Sequence, residues 1–504
     1  MRKLLCALLA LALIAGALPA LAAGADVPNW YEIFVRSYQD SDGDGLGDLN
    51  GLIGRLDYIC DMGWRGIWLM PVMPSPSYHK YDVTDYCAVD PEYGTLDDMR
   101  ALVAACHRRG ITLIVDMPVN HTSTRHPWFA AACEALRAGD EGNEYVAYYN
   151  FRREGGDGFA PLEGTDWYYE ERFAGGGMPD LNLDNPAVMA EIEAIFRFWL
   201  EDVGVDGFRL DAVTSFYTNQ PDRNIECLRA LKQMAEGIRP GSVLIGECWA
   251  GLDTIAAYYA SGVDSFFLFP AAQAEGFIAG SILARKNQAE KFARGYRAAL
   301  EAIPDGWLTP FLCNHDTGRT VGLVQGRRKP ELAKLAEGVL GMLTGGAFVY
   351  YGEEIGMVGS GEDPNKRLAM YWADGDMTQQ PPGANKIEYA YPSVEKQMND
   401  KKSLLNYVKA VNRARLDYPA ISRGENEFLL AEGSVCLMRR SHPDGDCIIA
   451  INFSAKDSFT VEAGPWQIAV DLEVGNASAA LTEKNGVAAL KLPPCAVVVL
   501  TAAE

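Results

Sequence analysis

Three short apolar runs each end in a single carboxylate: GFRLDA (207–212) in Asp211, LIGECW (244–249) in Glu247, and FLCNHDTGR (311–319) in Asp316. An acid placed where an apolar strand gives way to a loop stands at the rim of a sheet, so three of them can converge over one opening. Two carboxyl groups about 5 to 5.5 Å apart can cleave a glycosidic bond with retention, one attacking the anomeric carbon while the other protonates the departing oxygen. Asp211 is the shorter of that pair. Arg209, two residues earlier on the same strand face, favours its carboxylate form, so Asp211 is the expected nucleophile. Glu247 lies between Gly246, Cys248 and Trp249, a drier setting that favours the protonated acid and suits a general acid/base. Asp316 is expected to act as a third, transition-state carboxylate, with His121 and His315 as neutral donors to sugar hydroxyls.

Such carboxylates need a scaffold that delivers strand ends to one place. Apolar β-rich runs recur at 32–37, 66–71, 113–118, 207–213, 243–249, 265–270, 308–314 and 347–351. Most are followed by segments with helical spacing, at 96–109, 187–203, 225–238, 291–303 and 331–343. Alternation of this kind argues for a parallel sheet with crossover helices, and eight strands for a closed (β/α)8 TIM barrel, an α/β fold whose active site lies at the C-terminal ends of the strands. Residues 121–185, rich in Gly, Tyr and Trp, are far longer than an ordinary βα loop and predict a subdomain inserted after strand 3. The barrel is then expected over 23–120 and 186–418, and short alternating runs from 419 to 504 predict a C-terminal all-β sandwich domain.

The chain has 504 residues, 48% hydrophobic and 22% charged, with 45 Lys and Arg against 67 Asp and Glu and a net charge of −22. A surface this acidic repels phosphate backbones and anionic lipid, which argues against nucleic acid and fits a neutral partner. Arg2 and Lys3, an apolar run from Leu4 to Leu18 and small residues around Ala22 have the layout of a cleavable secretory signal over 1–22. A secreted, periplasmic or cell-envelope location follows as an expectation. The run is shorter than the roughly 20 residues a membrane span needs, so no stable membrane insertion is expected after cleavage. Of eleven cysteines, Cys6 leaves with the signal, and Cys436 and Cys447 could pair. Early in the chain, Asp40, Asp42, Asp44 and Asp48 alternate with small residues, a spacing that can wrap oxygen ligands around Ca²⁺. Gly51 stands where an EF-hand would place its glutamate.

Together these motifs closely resemble the α-amylase superfamily, glycoside hydrolase family thirteen, from Trp30 to about Tyr418. The resemblance rests on DMPVNH (116–121), GFRLDA, GECW and NHDTGR in their proper order. It implies Asp211 as nucleophile, Glu247 as acid/base and Asp316 as the residue that grips the −1 sugar, with Arg209, His121, His315 and Arg319 around it. YHKYDVTDY (78–86) adds His79 and Tyr81, the latter as a stacking face for a sugar ring, and Asp82, which in exo-acting members binds the terminal sugar. MPDLN (178–182) resembles bacterial members intermediate between oligo-1,6-glucosidases and neopullulanases. The acidic loop matches one after the first strand in oligo-1,6-glucosidase-like members, which implies a structural Ca²⁺ with Leu46 supplying a carbonyl. The chain departs from many α-amylases in carrying Thr214 and Ser215 where a lysine-histidine pair follows the nucleophile.

The leading expectation is a secreted retaining α-glycosidase hydrolysing α-1,4 bonds in starch or malto-oligosaccharides by double displacement. Exo-acting α-glucosidase, oligo-1,6-glucosidase and transglycosylase activities stay open, because the carboxylates do not separate them. A non-catalytic sugar-binding protein on the same barrel is the remote alternative.

Overall fold

Strands covered by helices outside and packed against one another inside are buried along their whole length and mostly apolar, and the central strands follow this except at Glu32, Asp116 and Arg209, which reach the site. In the computed structural model, which describes residues 28–502 apart from 305, 463, 476, 485 and 486, β1 (Trp30–Ile33), β2 (Gly66–Leu69) and β4 (Gly207–Leu210) are buried at every position. With β3 (Thr112–Met117), β5 (Val243–Gly246), β6 (Ser265–Phe266) and β7 (Phe348–Tyr350) they form one sheet in the order β7-β1-β2-β3-β4-β5-β6, every pair parallel.

The remaining stave, expected at 308–314, carries no continuous ladder. It joins β6 and β7 through isolated parallel bridges, Phe267 to Thr309 and Phe311 to Phe348. Pro310 has no N–H to donate, so the ladder breaks there, while its carbonyl still accepts from Phe348 N at 2.9 Å. The result is a (β/α)8 TIM barrel with one irregular stave.

The first strand begins earlier than its sequence indicates, and Val35–Ser37 forms a 3-10 turn instead of continuing it. A helix over Leu49–Asp61 (α1), which the periodicity does not reveal, follows the acidic loop, and Asp48 caps it by accepting from Gly51 N. Gly51 weakens helix propensity, yet a Cβ there would meet the Gln39 carbonyl oxygen at 2.1 Å. Close approach of the loop to α1 therefore overrides propensity.

Within 121–185 the chain forms a helix, Pro127–Ala138, and a small antiparallel sheet of Phe151–Arg152, Tyr168–Glu170 and Phe159–Pro161. Beyond the last barrel helix, Leu404–Asp417, come a five-stranded and a three-stranded sheet, all antiparallel. Val435, Ile448, Leu490, Leu492 and Val498 fill a core of their own between them.

The ten cysteines among the described residues are all free thiols. Cys436 lies across from Ile451 and Cys447 across from Arg440, a four-residue offset along the strands that rules out a bond between them. Residues 1–22, the expected signal, lie outside the described residues. No helix among the described residues is long and apolar enough to cross a membrane.

Candidate active site

One buried guanidinium organises the mouth of the barrel. Arg209, on β4 and fully buried, places Nη1 2.9 Å from Asp116 Oδ1 and 2.5 Å from Asp211 Oδ1. Its Nη2 lies 3.0 Å from Glu247 Oε1, an ion-pair contact without hydrogen-bond alignment. Asp211 and Glu247 each stand one residue beyond the end of their strand, β4 and β5. Gly207 lets those strands lie side by side, since a Cβ there would meet the Val243 carbonyl oxygen at 1.9 Å. Directly after Asp211 the backbone turns through Ala212 at φ +47°, a left-handed conformation costing a non-glycine residue on the order of 1 kcal/mol or more. That turn aims Ala212 N at Glu247 Oε2, 3.0 Å away.

A second network faces the first. His315 is held at both ring nitrogens: Nδ1 lies 2.5 Å from Glu32 Oε1, and Nε2 lies 2.7 Å from the Tyr81 hydroxyl and 3.1 Å from Asp316 Oδ2. Tyr81 donates to Asp116 Oδ2 at 2.9 Å, and Arg367 Nη2 meets Asp316 Oδ1 at 3.0 Å. Asp116 also accepts from Trp68 Nε1 at 3.2 Å. The two networks thus meet at Asp116, buried between Arg209 and Tyr81.

Burial and charge divide the acids. Burial pushes Glu247 up to about 8, reinforced by Asp211 and Asp316 and opposed by Arg209, so it is a protonated acid at neutral pH. Burial alone would also raise Asp316, but His315 and then Arg367 hold it well below the usual carboxylate range. Asp116 rises to about 6, again through burial, against the pull of Arg209. For His315 burial works downward, yet Asp316 and Glu32 outweigh it and carry the ring to about 10. The expectation that His315 is a neutral donor is therefore corrected: with a carboxylate at each nitrogen it is a cation. Burial lowers His121, which favours the neutral ring.

His79, Tyr81 and Asp82 lie on the loop after β2. The Tyr81 ring stacks on His315, centroids 5.4 Å apart and planes 18° apart. His79 Nδ1 lies 3.1 Å from the Ser77 hydroxyl, and Asp82 accepts from the hydroxyls of Ser75 and Ser77. Arg319 is not brought to the opening. Its guanidinium is buried beneath the site against Glu353 Oε1 at 3.1 Å and the Tyr351 carbonyl at 2.5 Å, so the expected sugar contact is corrected to an internal ion pair. Sequence reasoning missed Glu32 and Arg367, which carry no motif of their own. The available signal for Glu32 was an acid inside an otherwise apolar strand, WYEI.

In the acidic loop, carboxylate oxygens of Asp40, Asp42 and Asp48 lie within 4.8 Å of one another. Asp40 is shaped for the role by three backbone donors: Asp42 N at 3.1 Å, Gly43 N at 2.7 Å and Gly45 N at 2.8 Å. Asp44 faces another way, accepting from Leu46 N at 2.6 Å. Three hard oxygen donors with no nitrogen or sulfur ligand among them fit Ca²⁺.

The profile of the α-amylase catalytic domain matches residues 32–424. Alpha-amylase 3 of Dictyoglomus thermophilum is 35% identical over 439 residues, covering 84% of each chain. The oligo-1,6-glucosidase of Parageobacillus thermoglucosidasius is 29% identical, covering 84% of this chain and 90% of that one. Among solved structures, Eubacterium rectale Amy13B superposes with a TM-score of 0.89 at 39% identity, covering 95% of this chain and 96% of that one. An α-amylase from H. orenii gives 0.83 at 34%, covering 95% and 99%.

Proposed function

The chain belongs to the α-amylase family of glycoside hydrolases, and we propose that it is a secreted enzyme that cuts α-1,4 bonds of starch-type glucans with retention. One observation carries this reading: Asp211 and the raised acid Glu247 contact opposite ends of one guanidinium. The two terminal nitrogens of a guanidinium are about 2.3 Å apart, so the contacting oxygens are no more than roughly 8 Å apart, within reach of a single anomeric centre. Glu247, protonated at neutral pH, gives its proton to the glycosidic oxygen as Asp211 attacks the anomeric carbon. The carboxylate left on Glu247 then takes a proton from the water that releases the sugar from Asp211. In this reading Asp316, held ionised, and neutral His121 bind hydroxyls of the reacting sugar.

Asp40, Asp42 and Asp48 would hold a Ca²⁺ ion, which would serve as a structural clamp between the turn after β1 and the start of α1. Residues 1–22 direct the chain to secretion. Exo action is the second reading, favoured by Asp82, whose carboxylate sits on the same loop as His79 and Tyr81.

Release of reducing ends from soluble starch tests the activity. Asp211→Asn should lower the rate by about 10³-fold or more with the fold retained, and an unchanged rate would refute the assignment. Maltoheptaose separates the two readings, since mixed short oligomers mean endo cleavage and glucose alone means exo.

A further inference from the structure

We infer that Glu32, on β1, is a positioning residue that acts through His315, fixing the ring so that Nε2 carries a proton toward Tyr81 and Asp316. Glu32 is buried at 1% exposure and lies 2.5 Å from His315 Nδ1. Its Oε1 is also 3.4 Å from the His315 backbone N–H. Nothing in the family resemblance assigns it a role.

Counting protons in this network leaves one consistent arrangement. Glu32 is a carboxylate acceptor, so Nδ1 carries hydrogen. The Tyr81 hydroxyl has one hydrogen and two claimants, Asp116 Oδ2 at 2.9 Å and His315 Nε2 at 2.7 Å. If Tyr81 donated to Nε2, Asp116 would lose that donor, and the Nε2 lone pair would face Asp316 Oδ2 across 3.1 Å, two acceptors in contact. If Nε2 carries hydrogen, Tyr81 accepts from it and donates to Asp116, and Asp316 faces the charged ring as an ion pair instead of a lone pair. Each hydrogen bond then has one donor and one acceptor, as a buried network requires. Deprived of the charge on Glu32, the cation would be held from one side only.

The charged and titratable groups that face this ring come from each neighbouring element: Glu32 from β1, Tyr81 from the loop after β2, Asp116 from β3, Arg209 from β4, Asp316 beside it, and Arg367, whose Nε reaches the His315 carbonyl at 3.4 Å. Of the carboxylates among them, Asp116 is matched by Arg209 and Asp316 by Arg367. Glu32 has His315 as its counter-ion.

Glu32→Gln keeps the shape and the acceptor but removes the charge. The test is side-chain ¹⁵N NMR of the full chain labelled at its six histidines, with His315 assigned by its loss in His315→Gln. The wild-type ring should show both nitrogens protonated from about pH 6 to about pH 9. In Glu32→Gln its titration should fall by roughly two pH units, and Glu32→Asp, which keeps the charge, should recover part of that shift. An unchanged midpoint in Glu32→Gln, or a wild-type ring already neutral at about pH 7, would overturn the inference. The second result does not depend on Glu32→Gln folding. The proposal rests on the glycosidase reading for its functional meaning, but the two fail separately. Starch assays decide the activity, whereas the NMR titration reports the ring whether or not the chain cleaves glucan.

Discussion

Replacing Glu247 with Gln should make the enzyme both inactive and more stable, by an amount that depends on pH. Burial raises this carboxyl from 4.5 to about 8, so the folded protein binds a proton here that the unfolded chain has released. A group raised in the folded state contributes stability that is complete below the unfolded value and is lost as pH climbs through the folded one. At about 1.4 kcal/mol per unit, the cost of keeping Glu247 buried is about 1 kcal/mol near pH 5, about 3 kcal/mol near pH 7 and about 4 kcal/mol near pH 8. Glutamine is neutral in both states and bears none of it. Against Arg209 Nη2 and Ala212 N, a protonated Glu247 and a Gln face the same geometric problem, a donor toward a donor, so that term largely cancels. Denaturant or thermal unfolding of wild type and Glu247→Gln at several pH values should therefore give stability curves that diverge steadily from about pH 5 to about pH 8. Turnover should fall by about 10³-fold or more. Parallel curves would mean Glu247 is ionised in the folded protein, and the acid role would lose its physical basis.

Other substitutions probe the same networks. In wild type the alkaline limb of kcat/KM should lie near 8, because the reaction needs protonated Glu247. Arg209→Lys offers one point of charge where a fork now spans Asp211 and Glu247, so the limb should move upward and kcat fall at least ~10-fold. A pH-rate profile reads both. Tyr81→Phe removes the hydroxyl that links Asp116 and His315; at about 1.5 to 3 kcal/mol for hydrogen bonds to charged groups, kcat/KM should fall roughly 10- to 100-fold, measured on maltoheptaose with folding checked by circular dichroism. A chelator should lower the melting temperature by removing a ligand that binds only the folded loop. Asp42→Ala, which deletes one of the three clustered carboxylates, should abolish that sensitivity, as differential scanning calorimetry would record.

Most of the site could be read from the chain because each catalytic acid sits in a local signature. Asp211 and Glu247 are each one residue past an apolar strand, and a strand end in a parallel barrel points to the same rim whatever its neighbours. The signature states which residue reaches the rim, not what it meets there. Arg319 travels in the same motif as His315 and Asp316, yet it turns beneath the site to Glu353, a partner 34 residues away. Helix α1 was hidden for a related reason, since Gly51 dilutes its pattern, and the stave expected at 308–314 loses its continuous ladder because Pro310 interrupts it.

What the sequence determined by itself was the order of strands, the acids at their ends and hence the class of chemistry, because apolar patterning and residue type are properties of short stretches. What only the tertiary structure decided was protonation. His315 has Asp316 as its neighbour in sequence, but the charge that makes it a cation comes also from Glu32, 283 positions away. Glu247 is an acid because packing has removed water from around it. Such fields are sums over groups that folding alone brings within a few ångströms.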